Sequence, residues 1–272
     1  MRKIFKPLML ACIMASVLVA CKKEVKEEVL QDEVSESVKA QIKSLGFDTR
    51  DVQKVDEGYL VEGDIILTPE NLASAPTSPE MVIANEEHYR TNNLVSASTY
   101  PTIKVRIASS SSSHTTVFTA ALNEAIRRYN AEGLTIKFQR VTSGANITID
   151  AYYQVSNVLG SAGFPSGGRP YSTIRMNTYH YSTSTSSSNV NYIATIIAHE
   201  MGHCIGFRHT DYMNRAYSCG GSAYNEGSAG VGAVHIPGTP TGPSSSSWML
   251  ACSNGGNRPF TSADRTALRY VY

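Results

Sequence analysis

The stretch that decides the reading is His199-Glu200-Met201-Gly202-His203-Cys204-Ile205-Gly206-Phe207-Arg208-His209. It closes a run, Val190 to Ile205, in which Ile193, Ile196, Ile197, Met201 and Cys204 recur at helical spacing. His199 and His203 are four apart, so on a helix both imidazoles project from one side. Two nitrogens so placed can bind one Zn²⁺ at about 2.0–2.1 Å. Glu200 lies beside them and can reach a water at the metal without being a ligand. Gly206 lets the backbone turn sharply, which swings His209 round as a third nitrogen donor. Three protein ligands leave a position open for water, the pattern of a catalytic zinc rather than a structural one. One catalytic Zn²⁺ is expected.

Outward from this helix the pattern is α+β. Ile103, Val105 and Ile107 alternate as in a half-buried strand. Val117 to Tyr129 carries an apolar stripe at helical spacing, with Gly133 able to cap its end. Leu134, Ile136 and Phe138 alternate, as do Ile147 and Ile149. The order strand, helix, strand, strand predicts a mixed sheet with a helix packed on it. Ser161 to Arg169 is rich in Gly and Pro, and a further strand is expected at Ser172 to Thr178. Ser182 to Ser188 reads as a loop leading to a helix cap. Ser218 to Gly256 is rich in Gly, Ser and Pro and predicts long irregular segments. A last helix opens at Thr261, with Asp264 favouring its N-terminal dipole and Leu268 and Val271 facing inward.

The N-terminal part divides by charge. Arg2, Lys3 and Lys6 precede an uncharged run from Pro7 to Ala20, a secretory pattern too short to span a membrane. It ends Leu18-Val19-Ala20-Cys21, which resembles a bacterial lipobox. That resemblance implies cleavage of residues 1–20, lipidation of Cys21 and a membrane anchor. Lys22 at the next position is compatible with outer-membrane sorting, so an exported lipoprotein at the outer membrane or cell surface is expected. Residues 21–64 carry 7 basic and 12 acidic residues and read as an acidic tether or prosegment. Within it Val34, Val38, Ile42 and Leu45 suggest a short amphipathic helix ending near Gly46. Tyr59 to Leu67 reads as a strand interrupted by Gly63, and Pro69, Pro76 and Pro79 mark a linker. The expected division is 1–20 signal, 21–97 tether or prosegment with linker, and 98–272 catalytic domain.

His199 to Asp211 resembles the zinc motif of the bacterial dual-action HEIGH metallopeptidases, within the metzincins. Arg90-Thr91-Asn92-Asn93-Leu94-Val95, Ser218-Cys219-Gly220-Gly221 and Ile236-Pro237-Gly238-Thr239-Pro240 agree, so the resemblance covers roughly residues 88–272. It implies a metzincin-like zincin fold. A mixed twisted sheet and the active-site helix would form an upper subdomain, and an irregular lower subdomain would carry the C-terminal helix. It implies a zinc metalloendopeptidase that hydrolyses peptide bonds with a zinc-activated water, Glu200 as general base and His199, His203 and His209 as metal ligands. Met249 is the candidate for the methionine turn beneath the metal, and Ala251 stands where some metzincins carry a tyrosine. The strand at Ser172 to Thr178 would be the sheet edge that holds an extended substrate. Asp211 is open to a fourth-ligand role or, more in keeping with its place, to orienting a histidine or capping a turn. Val61-Glu62-Gly63-Asp64-Ile65 resembles the Gly-Asp motif of astacin-type propeptides, where an aspartate occupies the open zinc position. Asp64 is thus either a latency switch of a zymogen or part of an ordinary turn.

Once Cys12 is removed and Cys21 lipidated, Cys204, Cys219 and Cys252 remain. Cys204 suits the helix core, and Cys219 with Cys252 can staple the irregular region by a disulfide, which an exported location permits. His88, His114, His180 and His235 lack ligand spacing. A formal net charge of +1 offers no basic excess for phosphates, so nucleic acid is not expected as a partner. A monomer acting on protein or peptide is expected. The rival readings are a surface adhesin with structural zinc and a zinc hydrolase of another substrate class. Glu200 and the open metal position speak against the first.

Overall fold

Hydrophobic alternation and helical stripes build one layered unit. The computed structural model describes residues 34–45, 47–73, 88–111, 113–223, 233–240 and 242–272. The signal segment, Cys21, the charged stretch to Glu33, Gly46, Pro76 and Pro79 lie outside them. In chain order the elements begin with α1 (Glu36–Ser44), β1 (Gln53–Val55), β2 (Gly58–Val61), β3 (Ile65–Leu67) and α2 (Pro69–Ala73). Then come β4 (Tyr89–Arg90), β5 (Thr102–Ile107), α3 (Thr115–Asn130), β6 (Lys137–Arg140), β7 (Ile147–Tyr152), β8 (Gly160–Gly163) and β9 (Thr173–Asn177). The chain closes with α4 (Ser187–Cys204), α5 (Ala216–Cys219), β10 (Val234–His235) and α6 (Ser262–Val271).

Eight strands form one mixed sheet in the order β1-β2-β3-β8-β9-β7-β5-β6. Strands β6, β5, β7 and β9 run parallel to one another, and β8 is antiparallel to β9. Helices α3 and α4 pack on each other and share one core with the sheet. Ile103, Val105, Ile147, Ile149 and Ile174 supply its sheet side, and Phe118, Leu122, Ile193 and Ile197 its helix side. At the far end Trp248, Phe260 and Leu268 continue the same core and bring α6 against it. Thr261 and Asp264 cap α6 reciprocally, each side chain taking the other's backbone N–H.

One expectation changes. The strand at 172–178 is not the sheet edge: β9 lies between β7 and β8. The strand beyond it is β8, Gly-Ser-Ala-Gly, which overlaps the start of the Gly- and Pro-rich stretch. It has no apolar alternation because its neighbours leave room only for small residues. A Cβ on Gly163 would stand 2.8 Å from the Ile66 carbonyl oxygen. A second finding concerns residues 34–67, which belong to the compact unit Val34–Tyr272; of the segment expected as a tether or prosegment, β1, β2 and β3 join the sheet. Ile42, Leu45, Phe47, Val61, Ile65 and Leu67 give it a core of its own, closed by Phe164 from the segment after β8. The Tyr59–Leu67 run is a hairpin, with β2 and β3 antiparallel around a turn at Glu62–Asp64.

Candidate metal centre

Helix α4 is buried over its last three turns, and its inner side carries His199, Glu200 and His203. It stops at Cys204, and Gly206 makes the turn with φ +108°. A side chain there would meet the Asn93 carbonyl oxygen at 2.7 Å, so both the dihedral and the space require glycine. Tyr272 holds this turn from the far end of the chain, its hydroxyl donating to the Ile205 carbonyl and accepting from the Val95 N–H. The turn brings His209 to the two helical histidines, with ring centroids 5.3 Å from His199 and 4.9 Å from His203.

The tautomers follow from the backbone. Nδ1 of His199 donates to the Trp248 carbonyl at 2.8 Å, and Nδ1 of His203 donates to the Phe207 carbonyl at 2.9 Å. A carbonyl only accepts, so each Nδ1 carries a proton, which leaves Nε2 as the atom able to bind a metal. Burial, then the neighbouring His199 and His209, hold His203 well below the usual histidine range, so that ring is neutral. The two Nε2 atoms nevertheless stand 3.1 Å apart. Two lone pairs at that distance repel unless a cation lies between them. Ligands at about 2.0–2.1 Å on a tetrahedron are separated by about 3.3 Å, close to the spacing found.

A carboxylate completes the group. Oδ2 of Asp64 lies 3.0 Å from Nε2 of His209, 3.3 Å from that of His199 and 4.0 Å from that of His203. Burial raises the Asp64 pKa, but the neighbouring His209, then His199 and His203, outweigh it and hold the acid well below its usual range. Asp64, His199, His203 and His209 offer ligand atoms all within 4.8 Å of one another, a group able to hold a metal ion. Three imidazoles and one carboxylate suit zinc in number and softness. Asp64 reaches it because the Glu62–Gly63 turn takes positive φ at both residues, 56° and 88°.

Glu200 is 2% exposed and borders a cavity of about 690 Å³ together with His199, Asp64, Gly160 and Tyr192. Burial and then the charge of Asp64 push its carboxyl well above the usual range. Gly160 at the start of β8 leaves room for it, since a Cβ there would stand 3.0 Å from Oε1 of Glu200.

Met249 is fully buried beneath α4, and a Cβ on Gly202 would be 2.6 Å from its Sδ. Asp211 is not one of the grouped ligand residues. Its carboxylate accepts from the Ala251 N–H at 2.9 Å and the Ser218 hydroxyl at 2.5 Å, fastening the loop that carries Met249. Cys219 and Cys252 form a disulfide in the same region, and Cys204 is a buried free thiol. His88 binds Asp264 at 2.6 Å, His114 and His180 bind the Tyr181 and Ser156 carbonyls, and His235 binds Thr239. None of these four joins the metal group.

Sequence reasoning missed the carbonyls of Trp248 and Phe207, which no side-chain pattern could reveal. It also missed Glu62, whose carboxylate lies 3.9 Å from the Arg208 guanidinium and 4.0 Å from that of Arg215. Strand β8 carried no apolar alternation to find it by; only the structure shows that Gly160 and Gly163 lie where other atoms approach closely.

No curated protein matches the chain. Among solved structures, that of myroilysin is similar at 17% identity, covering 63% of this chain and 92% of the myroilysin chain with a TM-score of 0.39. The family model of the dual-action HEIGH metallopeptidases matches residues 60–272, a span that includes the whole metal group. The chain therefore belongs to the dual-action HEIGH metallopeptidases, zinc-dependent enzymes that act on protein or peptide.

Proposed function

We propose that the chain is an endopeptidase made as a latent precursor, exported and tethered to a membrane through a lipid on Cys21. The observation that carries the reading is the convergence of three imidazole lone pairs and the Asp64 carboxylate beside Glu200. His199, His203 and His209 would hold one zinc ion, which when bound activates water and polarises the scissile carbonyl. Glu200 takes the proton of the attacking water and passes it to the leaving amine. The lining of Gly160 and Leu159 leaves the Glu200 carboxylate facing the cavity instead of a packed side chain. Trp248 and Phe207 keep the protons of His199 and His203 on Nδ1, so their Nε2 atoms stay available.

Strand β8 is the edge along which an extended peptide would pair. In the precursor β3 occupies it, running parallel, with Ile65 opposite Ala162 and Ile66 opposite Gly163. Asp64 fills the place a substrate or water needs. The catalytic domain begins near His88, because Tyr89 pairs with His235 and His88 holds Asp264 at the cap of α6. Residues 21–73 form the prosegment, and the activating cut falls between Ala73 and His88. The test is a chelator-sensitive casein assay on zinc-loaded chain opened by a protease site placed in that interval, repeated with Glu200→Ala. Cleavage that survives in Glu200→Ala removes the base assignment. Absence of zinc-dependent cleavage in the opened wild type removes the peptidase assignment.

A further inference from the structure

The cavity beside Glu200 carries a cation that the hydrolytic chemistry does not use. Arg258 borders it together with His199, Glu200, Tyr192, Ile196 and Leu250. The backbone N–H of Arg258 donates to Oγ1 of Thr195 at 2.9 Å, and Thr195 precedes His199 by four residues on α4. Residues four apart share a helix side, so Arg258 is anchored about one turn along that helix from a metal histidine. Asn257 fixes the same stretch, its Oδ1 accepting from Arg128 of α3 at 2.8 Å. The side chain is 8% exposed. Its Nη1 donates to the Cys252 carbonyl at 3.0 Å, and its Nε is buried without an acceptor. Among the described residues no carboxylate forms an ion pair with Arg258. Burial lowers the pKa of this guanidinium, and the charge of Asp211 offsets that only in part. The Asp211 oxygens are already engaged, one by the Ala251 N–H and one by the Ser218 hydroxyl.

A guanidinium held away from water with one carbonyl as its partner favours a carboxylate brought to it. Tyr192, Ile196 and Leu250 give the cavity apolar walls, so the site suits a hydrocarbon stem that ends in a carboxylate. Asp51, Glu62 and Asp64 also border the cavity, but they belong to residues 21–73 and leave with that segment. We propose that Arg258 sets the substrate preference of the activated enzyme by drawing an acidic side chain of the peptide into this cavity. Because Arg258 lies about one helical turn from His199, the preferred Glu or Asp stands next to the scissile bond. This rests on the reading of the chain as a peptidase opened between Ala73 and His88.

The experiment has a binding arm and a cleavage arm. Full-length zinc-loaded chain carrying Glu200→Gln is cut between Ala73 and His88, and both pieces stay in the sample. Calorimetry then compares peptides that differ only by Glu or Gln at one scanned position, so competition from the cut segment is common to each pair. About tenfold tighter binding of the Glu peptide at one position is expected, as for a hydrogen-bonded charge pair. The preference disappears in Arg258→Gln and in Arg258→Met. It survives in Arg215→Gln, the control for the other arginine that borders the cavity. If neither Arg258 variant retains zinc, the unmutated site decides: a Lys peptide must bind more weakly than the Gln peptide at that position. In the cleavage arm, opened wild-type chain digests a peptide library read by mass spectrometry, with acidic residues expected at that same position. Equal binding of Glu, Gln and Lys peptides at every position, binding of none included, overturns the pocket. So does a preference that folded Arg258 variants leave unmoved or that Arg215→Gln abolishes. Tighter binding of acidic peptides without any cleavage keeps the pocket and overturns the peptidase reading. Cleavage without acidic preference does the reverse.

Discussion

Nδ1 of His199 donates to the Trp248 carbonyl at 2.8 Å, which ties the metal helix to the backbone immediately before Met249. This bond sets one tautomer and so aims the Nε2 lone pair at His203 and His209. The Trp248 ring sits in the shared core against Phe207 and Phe260. The loop that orients the histidine is therefore itself fixed by packing, and Asp211 and Cys219 are fastened to it by the Asp211 carboxylate and the disulfide.

Facing lone pairs make the metal part of the fold's stability. Zinc at about a hundred times its Kd should add about 2.7 kcal/mol. For a domain of this size, that is a drop of about 5–10 °C in Tm on chelation. Calorimetry with and without chelator, beside metal analysis, checks it. Fewer than one zinc per chain with an unchanged Tm would refute the site.

Asp64→Asn should relieve latency. The neutral amide keeps the turn but competes poorly for a cation. The uncut variant is expected to cleave a quenched peptide at least about tenfold faster than the uncut wild type, as a difference of about 1.4 kcal/mol requires. Equal rates before opening would show that Asp64 is only a turn residue.

Gly206→Ala meets two obstacles, a φ of +108° and the Asn93 carbonyl oxygen at 2.7 Å. A loss of about 3 kcal/mol in stability is expected, with weaker zinc binding because His209 is displaced. Urea unfolding and zinc titration of the variant measure both. A change below about 0.5 kcal/mol would contradict the geometry.

Glu124 gives an acid-dependent contribution. Its bond with Arg127, opposed by burial and aided by Arg128, lowers its pKa from 4.5 to about 2. The stabilisation is complete above pH 4.5 and is lost as pH falls toward 2. Solvent screening limits it to about 1 kcal/mol. Arg128 also bonds Thr195 of α4, so the pair braces α3 against the metal helix. Glu124→Gln should be less stable than wild type at pH 7 and converge with it near pH 2, read by denaturant titration across that range.

Cys21→Ser should move the protein from the membrane fraction to the soluble exported fraction. Detergent partitioning and labelling with a fatty-acid analogue follow it. Retention at the membrane in the variant would remove the lipid anchor.

The histidine spacing, the glycine turn and the capped last helix were legible because each depends on residues close in the chain. HExxHxxGxxH dictates its own local geometry: i and i+4 share a helix face, and glycine alone accepts the turn that follows. The strand at β8 was not legible, since Gly160 and Gly163 are small for the sake of Glu200 and Ile66, which lie far away in sequence. The acidic segment read as a tether or prosegment because charge dominates its composition, while the residues that decide its placement are the few apolar ones packed with Phe164.

By itself the sequence determined the metal-binding triad, the adjacent carboxylate and the α+β class, all consequences of local period and residue chemistry. Only the tertiary structure decided that Asp64 meets the three histidines, that β3 lies along β8, and that Glu62 sits between Arg208 and Arg215. Those contacts join segments more than a hundred residues apart or depend on sheet order, and sheet order is set by how whole faces bury one another rather than by any stretch of chain.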